Sequence, residues 1–449
     1  MFIVLIPVLG TFMILSSALK FKRLFNPVSI IVLWWCFWLW LANFSLTGFF
    51  VPGGKTQLMI LIMLAAVFLG SKLAFGKDRD PGLVAKENEQ FTQNGRYLLW
   101  LNILFFPVAA FFFLRALPLL LSGSPVKYRS AVFGSLDQPS PVFGGGYFQF
   151  LFQLIVSPVI FFSLIAGIIL FFRDRRKMLL LVSGGLVVLE AVMTLGRFNF
   201  YYILAFVVLT YVFIAQRHKA GPALQEESGK KPFVRMKKLK ILTLAGIMLA
   251  GLLFMSIFRG EKNAGPVATL GRVAVNYHTV GLVLFDQELE SPSSRLNSRL
   301  SCGRSIIGGI DTIVVILLRR FNSDLTPIAG ESGRYMDEPR QVGEDEQGGP
   351  IFGNAFYTIL YSLYFDGRYL AVLLVSLIFG YGVSASYLKW LKQGSLPGLA
   401  MVILLMYAGV FSLFQSPAEG LKFWIALLLV AAMKRFSLAN LRTKYEPEE

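Results

Sequence analysis

Apolar runs of membrane-spanning length recur along almost the whole chain. A helix needs about 20 consecutive apolar residues to cross the hydrocarbon core of a bilayer. Eleven runs of roughly that length lie near residues 2–19, 28–50, 57–75, 98–121, 148–172, 178–195, 199–215, 241–258, 369–388, 396–414 and 421–433, the last of them short. Only 15% of the 449 residues are charged, which is too few to coat a soluble protein of this size. We therefore predict an all-α polytopic membrane protein with about eleven transmembrane helices.

The positive charges predict which loops share a side of the membrane. Lysines and arginines near span ends are retained in the cytoplasm. Basic clusters follow span one (Lys20, Lys22, Arg23), span three (Lys72, Lys77, Arg79), span five (Arg173, Arg175, Arg176, Lys177), span nine (Lys389, Lys392) and the last span (Lys434, Arg435), and segment 216–240 holds eight more basic residues. This alternation predicts an N-terminus outside and a C-terminus in the cytoplasm. The net charge of +17 is thus explained by topology, and no nucleic-acid partner is expected.

Three regions follow from this assignment. Residues 1–258 form a membrane domain with spans one to eight, including an outer loop at 122–147 and the basic cytoplasmic loop at 216–240. Residues 259–355 form a large outer loop domain. Residues 356–449 form an interfacial helix, spans nine to eleven and a cytoplasmic tail.

The predicted outer loop domain has two notable segments. The stretch "RSIIGGIDTIVVILLRR", residues 304–320, is apolar in its centre but too short to span, so we predict an interfacial helix. The acidic, glycine-rich stretch "ESGRYMDEPRQVGEDEQGGP", residues 331–350, is predicted to be a mobile loop.

The two predicted faces use different cations. Segment 259–355 has nine arginines and one lysine, whereas segment 216–240 has six lysines and two arginines. The planar guanidinium group binds phosphate or carboxylate oxygens in pairs and stays charged when partly buried. The outer arginines therefore predict anion binding, with pairing to acids of the same segment as the open alternative. Arg259, at the outer end of span eight, and Arg319, at the end of the interfacial helix, would lie at headgroup depth.

A few other polar residues are candidates for chemistry. His278, in "NYHTVGLVLFD", could accept a hydroxyl proton, with Asp286 of the same stretch as a second candidate and a structural histidine as the alternative. Glu190 and Arg197 flank a tight turn, and their side chains could point in the same direction and form an ion pair. Such a pair could be functional or structural. The chain's two cysteines, Cys36 and Cys302, predict neither a disulfide nor a metal site.

Span nine is preceded by an aromatic stretch that ends in charge. Residues 354–365 predict an interfacial half-helix. We interpret Asp366-Gly367-Arg368 as an elbow at the outer surface, where both charged side chains stay in contact with water. Gly367 would allow the backbone to turn there without steric strain.

The stretch "GNAFYTILYSLYFDGR" with the later "GYG" resembles the late signature of the Wzy-type O-antigen and exopolysaccharide repeat-unit polymerases. Asn354, Tyr364, Asp366 and Gly367 match it, together with Tyr357-Thr358. The turn "TLGRFNFYYIL" around Arg197 is similar to that family's Gly-Ser-Arg turn. Arg129, with Gly145 sixteen positions later, matches its outer-loop spacing.

The resemblance implies a GT-C-like membrane glycosyltransferase that uses no metal, cofactor or nucleotide sugar. It would polymerise oligosaccharide repeat units linked to undecaprenyl diphosphate at the outer face of the bacterial inner membrane. The implied partners are those lipid-linked substrates, membrane lipids, a chain-length regulator and a flippase.

That chemistry needs cations for the leaving diphosphate and a base for the acceptor hydroxyl. The candidates for the diphosphate are Arg129, Arg197, Arg259, Arg272, Arg319 and Arg368, and those for the base are His278 and Asp286. An O-antigen ligase or a transporter of polysaccharide or lipid-linked oligosaccharide are the alternative functions.

Overall fold

The computed structural model describes residues 1–75, 81–121, 128, 140, 142–143, 146–196, 198–218, 246, 266–336, 338–354 and 357–435, with the backbone alone at 146–147, 218, 266–273, 333–334 and 434–435. Its helices are α1 (Phe2–Phe21), α2 (Pro27–Ala42), α3 (Gly54–Leu73), α4 (Pro81–Leu121), α5 (Gly146–Leu151), α6 (Ser157–Asp174), α7 (Met178–Thr194), α8 (Phe198–His218), α9 (Pro266–Glu290), α10 (Arg295–Ser298), α11 (Gly308–Leu318), α12 (Ile328–Met336), α13 (Ile359–Gln393), α14 (Leu396–Phe411) and α15 (Leu421–Arg435). A π-helical turn (Phe152–Val156) joins α5 to α6, and a 3-10 turn (Pro417–Glu419) precedes α15. Strands β1 (Arg340–Glu344) and β2 (Pro350–Gly353) pair antiparallel.

The described part of the chain is mostly helical and has the character of a polytopic membrane protein. Six of its helices are long and apolar enough to cross a membrane, at Phe2–Phe21, Gly54–Leu73, Pro81–Leu121, Phe148–Asp174, Phe198–Arg217 and Ile359–Gln393. Four further predicted spans coincide with the shorter apolar helices α2, α7, α14 and α15. The predicted span 241–258 lies outside the described residues, so the total number of spans stays a prediction.

Local sequence explains where these helices begin and how they meet lipid. At the start of α2, the Asn26 side chain accepts a hydrogen bond of 3.0 Å from the Ser29 amide, and Pro27 occupies the first helical position. Large apolar side chains of α1 are exposed, including Val4 at 69%, Phe12 at 62% and Leu19 at 81%. Such an apolar outer surface fits hydrocarbon rather than water.

The first of two compact units comprises 1–77, 267–389 and 405–424. The indole nitrogens of Trp34 and Trp35 donate to backbone carbonyls of Val410 and Gly409, each at 3.1 Å, which ties α2 to α14. Helices α3 and α13 touch backbone to backbone, since a Cβ at Gly70 would lie 2.0 Å from the Leu377 carbonyl oxygen. Small residues allow this close approach between membrane helices.

The predicted mobile loop 331–350 is instead ordered, and that prediction was wrong. It folds into α12 and most of a β-hairpin, whose Val342 is fully buried. The hairpin pairs with the segment after α2: the Phe50 amide donates to the Val342 carbonyl and the Glu344 amide to the Gly48 carbonyl, both at 2.9 Å. Backbone pairing with a segment about 300 residues away orders a stretch that is locally poor in apolar residues.

The second unit comprises 78–266, 390–404 and 425–449. Within it, the buried amide of Asn102 on α4 donates to the Ser163 hydroxyl on α6 at 2.7 Å. Helix α9 belongs with the N-terminal helices to the first unit. The boundaries at 258 and 355 stay predictions.

Segments predicted to share a membrane face lie together in the first unit. The predicted inner ends of α1 and α3 meet, because the Lys20 ammonium donates to the carbonyls of Lys72 and Ala74, each at 2.9 Å. Four segments predicted to lie outside also belong to this unit: the loop after α2, the hairpin, the elbow region and the 3-10 turn. The orientation inferred from lysine and arginine stays a prediction.

Candidate functional site

The predicted elbow before span nine exists, but its unusual backbone lies one residue later than predicted. Helix α13 is interrupted at Gly367 and Arg368. Gly367 has φ −171°, which is extended backbone open to any residue, whereas Arg368 has φ 54° and ψ −144°. The positive φ thus falls on an arginine, not on the glycine. A non-glycine residue in this region needs support from its surroundings.

Asp366 supplies that support from a buried position, which corrects the prediction that its charge stays wet. Its side chain is only 8% exposed. Its carboxylate accepts hydrogen bonds from the Ser301 hydroxyl, the Ser305 amide at 2.9 Å and the Ile306 amide at 2.7 Å. Three donors compensate a buried carboxylate for the water that it has lost. Asp366 therefore pins the segment 301–306 against the elbow.

Five arginines gather where this segment, helix α12, the hairpin and the elbow meet. We call Arg295, Arg299, Arg304, Arg340 and Arg368 the arginine surface. The Arg368 guanidinium donates to the Arg299 carbonyl at 3.0 Å and lies 4.9 Å from the centre of the Tyr364 ring. The Arg299 guanidinium lies 5.5 Å from the Phe365 ring and pairs with Glu331. The elbow thus brings two guanidinium groups onto adjacent aromatic rings.

Arg304 is fixed by a two-point ion pair. Its Nε lies 2.7 Å from Oδ1 of Asp311, and its Nη2 lies 3.2 Å from Oδ2. Asp311 also accepts from the Ile328 amide at 2.8 Å and so links α11 to the start of α12. The hydrogen bond that Arg304 donates to Asp311 raises the pKa of Arg304 above its ordinary value. This arrangement holds the guanidinium in one orientation.

A second carboxylate, Glu288, organises the other end of the arginine surface. Glu288 is fully buried and accepts a hydrogen bond from the Ser294 hydroxyl. It also accepts one from the Tyr335 hydroxyl, which lies 2.8 Å from Oε1. It also pairs with Arg340. The guanidinium groups of Arg340 and Arg295 lie 4.8 and 5.3 Å from the Tyr335 ring centre. Burial and the bond to Glu288 raise the pKa of Tyr335, which stays protonated as a donor.

Two members of the arginine surface keep their charge available. Among the described residues, neither Arg295 nor Arg368 has a carboxylate partner: Arg295 contacts a ring, and Arg368 contacts a ring and carbonyls. Arg299, Arg304 and Arg340 are each held by one carboxylate. Guanidinium groups positioned in this way can bind the oxygens of a phosphate or diphosphate.

Glu419, in the 3-10 turn between α14 and α15, lies beside this site and was not predicted from the sequence. The Ser362 hydroxyl on α13 donates to its Oε1. Burial raises the pKa of Glu419 to about 7, and the neighbouring charge of Asp366 acts in the same direction. A carboxyl group that titrates near neutral pH can exchange protons with a substrate.

His278 lies in an aromatic cage rather than at an open cleft. Its ring stacks on Trp38 with centres 3.8 Å apart and meets the edges of Trp34 and Phe414. Its Nδ1 donates to the Ala274 carbonyl, and the side chain is 4% exposed. Burial lowers the pKa of His278 to about 4. This geometry favours a packing role over the predicted role of proton acceptor.

The other predicted side chains with described contacts are spread over both units. A Cβ built on Gly53 would lie 3.1 Å from Oδ1 of Asp286, so this acid borders the start of α3. Arg319 donates to the Leu325 carbonyl at 2.8 Å and closes the loop after α11. Glu190, in the second unit, accepts from the Ser157 hydroxyl at 2.8 Å.

The remaining predicted residues divide by what the structure describes. Asn354 is exposed just after β2, and Tyr364 lies under Arg368. Arg272 lies in α9, where only the backbone is described. Arg129, Arg197 and Arg259 lie outside the described residues, so their predicted roles stay untested.

Of the two predicted diphosphate ligands whose side chains the structure describes, Arg368 belongs to the arginine surface and Arg319 does not. The excess of arginine over lysine in 259–355 was the signal that could have found Arg295, Arg299, Arg304 and Arg340. Comparison of the chain with protein-family models, with curated proteins and with solved structures gave no match.

Proposed function

We propose that this chain is a membrane glycosyltransferase that polymerises oligosaccharide repeat units carried on undecaprenyl diphosphate. The arginine surface carries the proposal. Its guanidinium groups are fixed by buried carboxylates and aromatic rings, and two of them lack a carboxylate partner among the described residues. Such a surface suits a diphosphate leaving group, whose developing charge needs preorganised donors.

The finer topology is part of the same proposal. About eleven spans in a GT-C-like arrangement would place the N-terminus outside the inner membrane and the C-terminus in the cytoplasm. The arginine surface then faces outward, where lipid-linked repeat units arrive after transport. The clustering of the predicted outer segments supports this orientation, as does the alternation of basic loops.

In the proposed reaction, the growing glycan leaves its carrier and is transferred to a sugar hydroxyl of the incoming repeat unit. Arg295 and Arg368 bind the diphosphate directly, and Arg299, Arg304 and Arg340 complete the positive surface. Arg129, Arg197, Arg259, Arg272 and Arg319 remain further candidates for phosphate contacts. The exposed apolar side chains around the helices would lie against the prenyl chains and membrane lipids.

The test is the length distribution of surface polysaccharide in cells that lack this protein. Deletion should leave single repeat units, and the wild-type gene should restore a ladder. Arg368→Ala should shorten or abolish the ladder, and Arg368→Lys should restore it only partly, since lysine keeps the charge but loses the planar fork. Lys55→Ala is the matched control, because it removes one exposed charge from the same predicted face. A normal ladder in the deletion strain would refute the polymerase function for that glycan.

The same strain separates the alternative functions. A transporter defect would trap single lipid-linked units on the cytoplasmic side. A ligase defect would accumulate polymer on the undecaprenyl carrier. A polymerase defect leaves single units on the outer face or transferred to the surface.

A further inference from the structure

Two neighbouring carboxyl groups below the arginine surface have opposite surroundings. Ser362 and Asp366 lie four residues apart on α13, so their side chains occupy one face a single turn apart. Asp366 accepts three hydrogen bonds, two of them from backbone amides. Glu419 accepts one, from Ser362, and among the described residues its Oε2 has no donor. Both carboxylate oxygens of Asp366 thus accept hydrogen bonds, whereas Oε2 of Glu419 is available to accept a proton.

The backbone fixes where Glu419 sits. The start of α11 packs directly on the 3-10 turn: a Cβ on Gly309 would lie 2.7 Å from the Gly420 carbonyl oxygen, and one on Gly308 would lie 3.1 Å from the Glu419 Cα. The contact there is close between backbones, and the Trp424 side chain borders it, since the same Gly309 Cβ would lie 2.8 Å from Trp424 Cδ1. Glu419 is therefore held against the start of α11, two residues after the segment 301–306, which contains Arg304 of the arginine surface and follows Arg299.

We propose that Glu419 accepts the proton of the acceptor sugar hydroxyl during polymerisation, with Ser362 orienting its carboxylate. This inference rests on the proposed function. The acceptor oxygen attacks the anomeric carbon of the donor glycan, and its hydrogen passes to Glu419 Oε2. The bond between that carbon and the diphosphate oxygen breaks, and its electron pair leaves with the diphosphate, which the arginine surface neutralises. Glu419 then returns the proton to water or to the released diphosphate.

The electrostatics agree with this assignment. In the part of the chain that the structure describes, the titratable groups coupled to Glu419 are Asp366 and Tyr361 on α13, and α11 contributes glycines at the contact. Burial raises the pKa of Glu419 to about 7, the hydrogen bond from Ser362 opposes that rise, and the charge of Asp366 adds to it. Pairs of acids whose environments differ in this way divide their roles, one ionised and one exchanging protons.

The experiment compares Glu419→Gln, Glu419→Asp and Ser362→Ala in purified protein in proteoliposomes, with lipid-linked repeat units extracted from the deletion strain. Glu419→Gln should slow polymer formation by about 100-fold or more, the usual effect of losing a positioned base. Glu419→Asp should retain part of the rate. Stabilisation of each variant by undecaprenyl diphosphate, with undecaprenol as control, should equal that of wild type, because the arginine surface is intact.

Wild-type rate should rise with pH and level off above about pH 7. In Ser362→Ala this rise should move to higher pH, because the lost hydrogen bond favoured the charged carboxylate. A Glu419→Gln rate within about threefold of wild type would overturn the inference, and so would an unshifted pH profile in Ser362→Ala. If Glu419→Gln does not fold, the Ser362→Ala profile decides alone. A wild-type protein that forms no polymer refutes the proposed function instead.

Discussion

Replacing Asp366 by asparagine should loosen the segment 301–306 from the elbow. The asparagine side chain keeps one acceptor oxygen and presents an NH₂ group where the second carboxylate oxygen was. The Ser305 and Ile306 amides, now 2.9 and 2.7 Å from the carboxylate, cannot both keep an acceptor. One buried N–H left unsatisfied costs about 1–3 kcal/mol, and the loss of charge assistance in the remaining bonds adds about 1 kcal/mol. We expect a total near 3 kcal/mol.

Amide hydrogen exchange measured by mass spectrometry reports this change at the site itself. A loss of 3 kcal/mol should speed exchange at Ser305 and Ile306 by about 100-fold in detergent-solubilised protein. Asp345→Asn is the control, since Asp345 caps the amides of Gln347 and Gly349 in an exposed turn. It should leave exchange in 301–306 unchanged. Exchange within about threefold of wild type in Asp366→Asn would show that the carboxylate does not hold this segment.

Three further outcomes follow from the structure. Gly309→Ala should lower the melting temperature in detergent and reduce the free energy of unfolding by about 1–3 kcal/mol, because its Cβ meets the Gly420 carbonyl oxygen. The control Gly184→Ala, whose Cβ would have no atom within 4 Å, should be neutral or slightly stabilising. Glu288→Gln should cost about 3 kcal/mol in chemical unfolding, because it leaves the partly buried Arg340 without its charge partner. When the pH falls from about 7 to about 5, the free energy of unfolding of wild type should drop by about 2 kcal/mol more than that of His278→Phe. The reason is that the imidazole binds a proton near pH 6.5 in the unfolded protein but only near pH 4 in the folded protein.

Each of these outcomes has a result that contradicts it. Equal melting temperatures for the two glycine variants would mean that α11 does not pack against the 3-10 turn. Unchanged unfolding of Glu288→Gln would remove the buried carboxylate as the support of the arginine surface. Parallel pH curves for wild type and His278→Phe would show that His278 has the same pKa in the folded and the unfolded protein, so that burial does not lower it.

Helix positions could be read from the chain because the signal is local. A run of apolar residues that forms a helix makes all its backbone hydrogen bonds within the run, and its side chains can face hydrocarbon. Both properties can be read from the run itself. Ten of the eleven predicted spans coincide with helices in the described residues. The bend before span nine was also predicted, since a polar pair after an aromatic stretch interrupts such a helix locally.

The sequence by itself determined that this chain is helical, suited to a membrane, and rich in arginine on one predicted face. Tertiary structure alone decided that Asp366 is buried under amides of a segment about 60 residues away, that Glu288 joins Tyr335 and Arg340, and that Glu419 lies against α11. Burial and hydrogen bonding set whether a carboxyl group is an anchor, a counter-ion or a proton acceptor. Those surroundings come from residues distant in the chain, so residue type and spacing could not assign these roles.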